Sequence, residues 1–244
     1  EYQGWYIDNY GPNWRERVEQ DYREGWAEGN PDRKHNPFSA SFGAIWNIRE
    51  GYSLALSLAH TERAPNVREL FADGSNLATN SYEVGLLATG FVENYLPADL
   101  FDYDDDVMER SRAVNLTFRK AGGPLSFEVG AFYQNVDNYI FAHLLESEVT
   151  TGVRHNFLLY TAADAEFYGL DGQVSYQLNP SSRVTVFGDY VDTNLLDDDN
   201  LPRIPPGRLG ARYEHTAGPL SGDVEYYHTF EQDKVALYET PTAG

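Results

Sequence analysis

Histidine and carboxylate side chains are the groups in this sequence that could do chemistry, because both can bind metal ions. The 244 residues include six histidines, 38 aspartates and glutamates, and no cysteine. No two histidines stand three or four residues apart, so the sequence has no compact helical metal pair. His35, His143 and His155 fall in or beside long polar segments, which makes them the candidate imidazole ligands.

Oxygen ligands are available in another of the polar segments, residues 62–108. Carboxylate and amide oxygens suit hard cations, whereas imidazole suits zinc. If the polar segments converge, these residues and the three histidines would form one metal site. The predicted ligands are therefore Asp73, Asn76, Glu83, His35, His143 and His155.

The overall charge narrows the classes of partner. Lys and Arg total 18 against 38 Asp and Glu, so the formal net charge is −20. Such a chain does not neutralise phosphates, which argues against nucleic acid and against anionic lipid headgroups as electrostatic partners, but it permits cationic ligands. The sequence also lacks a G-x-S-x-G run, a His-Glu-x-x-His pair and a phosphate-binding loop. We therefore predict no enzyme activity.

Alternation with a period of two dominates the chain and predicts an all-β fold. Leu125, Phe127 and Val129, for example, alternate with Ser126 and Glu128. The predicted strands cover residues 38–48, 52–61, 109–120, 125–141, 165–178, 183–193, 207–216 and 221–233.

The lengths of the connections alternate too. Short turns rich in Gly, Pro, Asn and Ser join successive strand pairs, and long polar segments (62–108, 142–164 and 194–206) separate the pairs. Outer-membrane barrels show this asymmetry, with short periplasmic turns and long extracellular loops. The 18 tyrosines and four tryptophans suit a membrane–water boundary. We predict an antiparallel transmembrane β-barrel segment of about eight or nine strands, located in the bacterial outer membrane.

Five ordered motifs resemble those of TonB-dependent receptors. In that family, the first of them follows a barrel strand and opens an extracellular loop, as it does here. The matching runs are Arg63-Ala64-Pro65 with Glu69-Leu70-Phe71, Ala78-Thr79 with Glu83-Val84-Gly85, Asn135 with Asn138-Tyr139-Ile140, Ala165 with Gly169, and Arg203-Ile204-Pro205-Pro206-Gly207-Arg208-Leu209-Gly210.

The resemblance implies a function and a set of partners. Members have an amino-terminal plug domain inside a barrel of about 22 strands. Residues 1–244 would be part of that barrel, without the plug and without the closing carboxy-terminal strands. The implied function is capture of a scarce ligand, a metal ion or metal complex, for uptake energised by the TonB–ExbB–ExbD system through the plug. Outer-membrane lipid would surround the strands.

Within the family, the chain looks most similar to the zinc-uptake receptors. Those carry a His-Gly-x-His element where this sequence reads Asp73-Gly74-Ser75-Asn76, so both imidazoles are replaced. No bound cofactor is assigned, and zinc or a metal complex is the candidate transported ligand.

Three other readings stay open at this stage. One is a self-contained small outer-membrane barrel with a structural or adhesive role. Another is a soluble β-sandwich binding module, since alternation alone does not tell a lipid-facing strand from a solvent-facing one. An outer-membrane hydrolase is the third.

Overall fold

A computed structural model describes residues 34–87, 107–150, 153–195, 200–236 and 239–242. Ten strands and one short helix form in this part of the chain. Their bounds are β1 Ser39–Arg49, β2 Tyr52–Arg63, α1 Val67–Phe71, β3 Asp73–Asn76, β4 Ser81–Val84, β5 Glu109–Lys120, β6 Leu125–Thr150, β7 Val153–Asn179, β8 Ser182–Leu195, β9 Arg208–Ala217 and β10 Leu220–Thr229. Within the described residues, no helix is both long and apolar enough to cross a membrane.

The strands belong to one sheet, whose main path runs β1-β2-β5-β6-β7-β8-β9-β10. The paired neighbours with a defined register along this path are antiparallel, as in β8 with β9 and β9 with β10. The short β3 and β4 pair with each other, and β4 also pairs with β7 in parallel. The prediction of an antiparallel barrel segment is confirmed. The path is open, with β1 at one end and β10 at the other.

The eight predicted strands correspond to the eight strands of this path. Tight turns join β1 to β2 and β5 to β6, and glycines supply the left-handed backbone that these turns need: Gly51 has φ 78° and Gly122 has φ 82°. The prediction of a long loop over residues 142–164 was wrong, since β6 continues to Thr150 and β7 starts at Val153. This segment lacks the apolar–polar alternation that marked the other strands, because strand residues beyond the bilayer have no lipid-facing side.

The two faces of the sheet differ in polarity. Val186, Ala211 and Tyr226 lie side by side on β8, β9 and β10, and Val186 and Tyr226 are 45% and 72% exposed. On the opposite face, ion pairs cross between neighbouring strands: Arg208–Asp189, Arg212–Glu225 and Arg119–Glu128. An apolar outward face and a charged inward face are the pattern of a membrane barrel.

The apolar face ends at a row of polar contacts, on the side away from the tight turns. Tyr133 donates to Glu166 at 2.6 Å, and Tyr168 donates to Asp192 at 2.8 Å. Glu166 and Tyr176 stand ten residues apart on β7, which is about 33 Å along a strand. At the tilt of about 40° that membrane barrels adopt, this covers about 25 Å of bilayer, the height of their apolar band.

The chain divides into two compact units. Unit 1 comprises residues 1–37, 62–109 and 138–163, and its described part holds α1, β3 and β4. Unit 2 comprises residues 38–61, 110–137 and 164–244, and it holds most of the sheet. Strands β6 and β7 contribute residues to both units.

Candidate functional site

The turn after β2 starts helix α1 through a reciprocal cap. Pro65 precedes Asn66, whose side chain accepts a hydrogen bond from the Glu69 backbone N at 3.0 Å. The Glu69 carboxylate accepts one in return from the Asn66 backbone N at 2.8 Å. These two bonds form a capping box, which satisfies amide donors that a helix start otherwise leaves unpaired.

A three-residue charge network joins α1 to the strands. Arg63, at the end of β2, donates to Glu69 at 2.8 Å and to Glu109, at the start of β5, at 2.8 Å. Glu109 also accepts from the Ile140 backbone N at 3.3 Å. The network therefore fixes the helix against β2, β5 and β6 within unit 1.

The β3–β4 hairpin is organised around Glu83, whose side chain is only 4% exposed. Arg68 on α1 pairs with both carboxylate oxygens, with its Nε at 2.6 Å from Oε2. Asn76 donates to the same carboxylate at 3.0 Å and Ser81 at 2.9 Å. Burial raises the pKa of the Glu83 carboxyl, but the hydrogen bonds from these three residues outweigh it, so the net pKa lies below the ordinary value.

Asp73 begins the same hairpin and accepts a hydrogen bond from the Tyr82 hydroxyl at 2.7 Å. Burial raises the pKa of the Asp73 carboxyl, and the Tyr82 bond offsets only part of this. The Tyr82 ring stacks on Phe157 of β7, with ring centres 5.9 Å apart and planes within 3°. This stack accompanies the parallel pairing of β4 with β7.

A small apolar core supports α1 and the hairpin. It consists of four buried residues: Leu70, Leu86, Val107 and Ile140. The chain leaves β4 through Gly85, whose N donates to Ala72 O at 2.6 Å. A Cβ at Gly85 would lie 2.6 Å from the Leu70 backbone oxygen, so only glycine allows this close approach.

All six predicted ligand residues fall within the ranges of unit 1. The structure brings Asn76 and Glu83 into direct contact. It places His143 on β6 beside Phe141, with ring centres 6.1 Å apart. The Nε2 of His35 is buried with no hydrogen-bond partner among the described residues. His155 lies on β7, and its side chain falls outside the described part.

The described residues contain no group of three or more His, Asp or Glu that could hold a metal ion. The long loops also carry two acidic runs, residues 102–106 and 197–199, and both lie outside the described residues. Sequence reasoning did not assign Arg68 and Ser81 to this site, although both contact Glu83. Arg68 stands 15 residues from Glu83, and nothing in the local sequence indicates that the two pair.

The comparison with protein families decides the identity of the fold. The family model described as "TonB dependent receptor-like, beta-barrel" matches residues 9–242. The chain belongs to this family. TonB-dependent receptors are outer-membrane transport proteins and not enzymes, which confirms both the predicted location and the absence of an enzyme assignment.

Solved TonB-dependent receptors share the fold. "Copper transporter OprC" is 20% identical with a TM-score of 0.63, over 81% of this chain and 28% of that chain. The siderophore receptor PirA from Pseudomonas aeruginosa is 17% identical with a TM-score of 0.53, over 78% of this chain and 33% of that chain. The chain thus spans about a third or less of the length of these receptors.

Proposed function

We propose that this chain is the ligand-capturing part of an active-uptake receptor whose ligand is a metal ion or a metal complex. One observation carries the proposal: residues 66–87, in the connection between β2 and β5, fold into a helix and a hairpin that pack on a small apolar core. An ordered insert of this kind in a long connection between strands suits ligand capture. The solved relatives support it, since their names refer to copper and to siderophores.

The energy for uptake would come from the TonB–ExbB–ExbD system, acting through a plug domain in the barrel. Support for this comes from the family itself. With a full-length receptor in cells, a protonophore that collapses the inner-membrane potential should abolish uptake of the radiolabelled metal but leave surface binding. Uptake that continues without the potential would contradict the proposal.

The charges of the hairpin bear on the form of the ligand. A free cation at Glu83 would have to displace Arg68, which already neutralises that carboxylate. A cation at Asp73 would compete only with the hydroxyl of Tyr82 among the contacts described above. We therefore propose Asp73, with Asn76, His35 and the strand histidines His143 and His155, as the ion ligands to test before Glu83. An intact metal complex would require no displacement at Glu83.

Metal content of the full-length receptor tests this choice. The receptor would be purified from outer membranes, equilibrated with a mixture of zinc, copper and iron salts, and measured by mass spectrometry. Stoichiometric zinc that disappears in Asp73→Ala or His143→Ala, but not in the strand control His228→Ala, would support a zinc receptor. A wild-type receptor that retains no ion would overturn the ion site and direct the search to metal complexes.

A further inference from the structure

The chain that follows β10 returns to the end of β8, where its Lys234 side chain binds. We call residues 230–236 and 239–242 the strap. A bridge between Gln232 and Thr242 folds the strap on itself. None of these described residues is buried. Segments with few buried apolar contacts open at a low free energy, so polar contacts must hold the strap in place.

Lys234 joins the strap to β8. Its ammonium group donates to three oxygens: the Asp192 carboxylate at 2.9 Å, the Thr193 carbonyl at 2.5 Å and the Asn194 amide oxygen at 2.8 Å. An ammonium group has three N–H donors, and this site provides an acceptor for each of them. The Asp192 carboxylate is held in turn by the hydroxyl of Tyr168, which donates at 2.8 Å. The end of β8 therefore forms an oxygen cage for one ammonium group.

The strap also contacts the connection between β8 and β9, on both sides of Leu201. Asn200 donates to the Val235 backbone oxygen at 3.0 Å, and the Arg203 backbone N donates to Glu239 at 2.9 Å. Leu201 is only 2% exposed. The two contacts place the strap beside this buried apolar side chain.

We propose that the strap is a lid over Leu201 and that Lys234 is its latch. The lid is closed while the ammonium group lies in the cage. When the ammonium group leaves, the strap moves away and β8 and β9 keep their pairing. The Lys234 side chain is 36% exposed in the closed state, so water can take over its contacts. Opening goes beyond ligand capture, because it changes the surface that the connection between β8 and β9 presents.

Thiol labelling of the full-length receptor in intact cells tests the lid. This chain has no cysteine, so Leu201→Cys introduces the only thiol in this part of the receptor. A membrane-impermeant maleimide should label it about tenfold faster when Lys234→Met is also present, as for the loss of charged hydrogen bonds at a partly exposed site. Lys120→Met is the matched control, because Lys120 also donates to backbone carbonyls but lies at the turn after β5.

Two results of this labelling would overturn the proposal. Equal labelling of Leu201→Cys in the Lys234→Met and Lys120→Met backgrounds would show that Lys234 is not the latch. Glu231→Cys, at an exposed position of the strap, gives the rate for an uncovered thiol. If Leu201→Cys alone reacts as fast as Glu231→Cys, the lid is not closed.

Chemical rescue separates the latch from a general loss of structure. Lys234→Ala leaves the cage without its ammonium group, and the propylammonium ion corresponds to the part of the side chain that is removed. Propylammonium should therefore restore slow labelling of Leu201→Cys. Tetramethylammonium has the same charge but no N–H donor, so it should have no effect. Rescue by both ions, or by neither, would overturn the cage.

Hydrogen exchange tests the latch without any introduced cysteine, so it decides even where Leu201→Cys does not fold. Residues 230–236 should exchange faster in Lys234→Met than in Lys120→Met, while β8 and β9 exchange at the wild-type rate. Unchanged exchange of the strap would show that Lys234 does not hold it. Faster exchange of β8 together with the strap would show that the strap opens only when the sheet does, which also contradicts the proposal.

Discussion

Glu83 is the residue on which the described loop structure most depends. Its carboxylate is buried, and the chain provides three side-chain donors for it: Arg68, Asn76 and Ser81. Removing one partner of such a pair leaves a buried charge without its counter-charge. The outcome depends on which donor is lost, because only Arg68 carries a charge.

We expect Arg68→Ala to destabilise the hairpin by about 1–3 kcal/mol, since the remaining donors are neutral and the arginine is partly exposed. Ser81→Ala should cost about 1 kcal/mol. Hydrogen exchange of residues 73–84 measures both. Equal exchange in the two variants would show that the charge of Arg68 does not stabilise the hairpin.

The two hairpin carboxylates should give opposite dependences on pH. The pKa of Glu83 is lowered in the folded state, so its stabilisation is present above the ordinary value of 4.5 and is lost as the pH falls through the folded pKa. The pKa of Asp73 is raised above 3.8, so its contribution is present at low pH and is lost as the pH rises through the folded pKa.

Hydrogen exchange at a series of pH values should therefore show that the wild-type hairpin loses protection as the pH falls. This loss should disappear in Glu83→Gln. Asp73→Asn should still lose protection as the pH falls, and should lose it more steeply. The reason is that the contribution of Asp73, which stabilises the hairpin at low pH, is gone. An Asp73→Asn profile that is flat below pH 4.5 would contradict the lowered pKa of Glu83, because no opposing carboxylate is left in that variant.

For single residues, the residue types of the site could be predicted from the sequence, but the partners of those residues could not. Asp73, Asn76 and Glu83 were assigned to one candidate site, and Asn76 does contact Glu83. The role of Arg68 depends on how α1 packs against the hairpin, which no spacing rule gives. Whether the six predicted residues bind metal stays a prediction.

Helix α1 has only five residues, so its cap and its packing must supply the stability that its length does not. Asn66 and Glu69 stand in the spacing of a capping box, which is a signal readable from sequence. The contact at Gly85 is not readable, because it joins the end of β4 to the end of the helix.

Gly85→Ala should open this contact, since the new Cβ would lie 2.6 Å from a backbone oxygen that has no freedom to move away. We expect loss of protection at α1 by hydrogen exchange, at a cost of about 1–3 kcal/mol from overpacking. Gly222→Ala on β10 is the control, because nothing lies within 4 Å of its Cβ position. Equal protection in both variants would rule out steric closure at Gly85.

Among the elements, the strands of the sheet were predictable wherever one face meets lipid, as in Leu125–Tyr133 of β6. The distal parts of β6 and β7 were not predictable, because the alternation fades there although the backbone pairing continues. The small β3 and β4 are too short to show a period of their own.

On the scale of the whole molecule, the orientation of each strand face fixes which substitutions a barrel accepts. Leu170 lies outward, 58% exposed, roughly midway between Glu166 and Tyr176 on β7. Gln173 lies inward on the same strand, opposite Phe187 of β8.

Leu170→Arg should destabilise the full-length receptor by about 2–4 kcal/mol, the cost of a cation near the middle of the bilayer, whereas Gln173→Arg should cost little. Urea titration of the receptor in lipid vesicles measures the difference. If both variants unfold at the same urea concentration, the outward face of β7 is not in contact with lipid.

The backbone bond from Gly85 N to Ala72 O closes residues 73–84 into a loop whose two ends meet at 2.6 Å. Because the two ends of this segment lie close together, it can be replaced by another hairpin without changing the distance between Ala72 and Gly85. The hairpin is thus a replaceable unit: another hairpin could be grafted between Ala72 and Gly85, provided that it keeps the pairing of β4 with β7 and that Arg68 is changed together with Glu83.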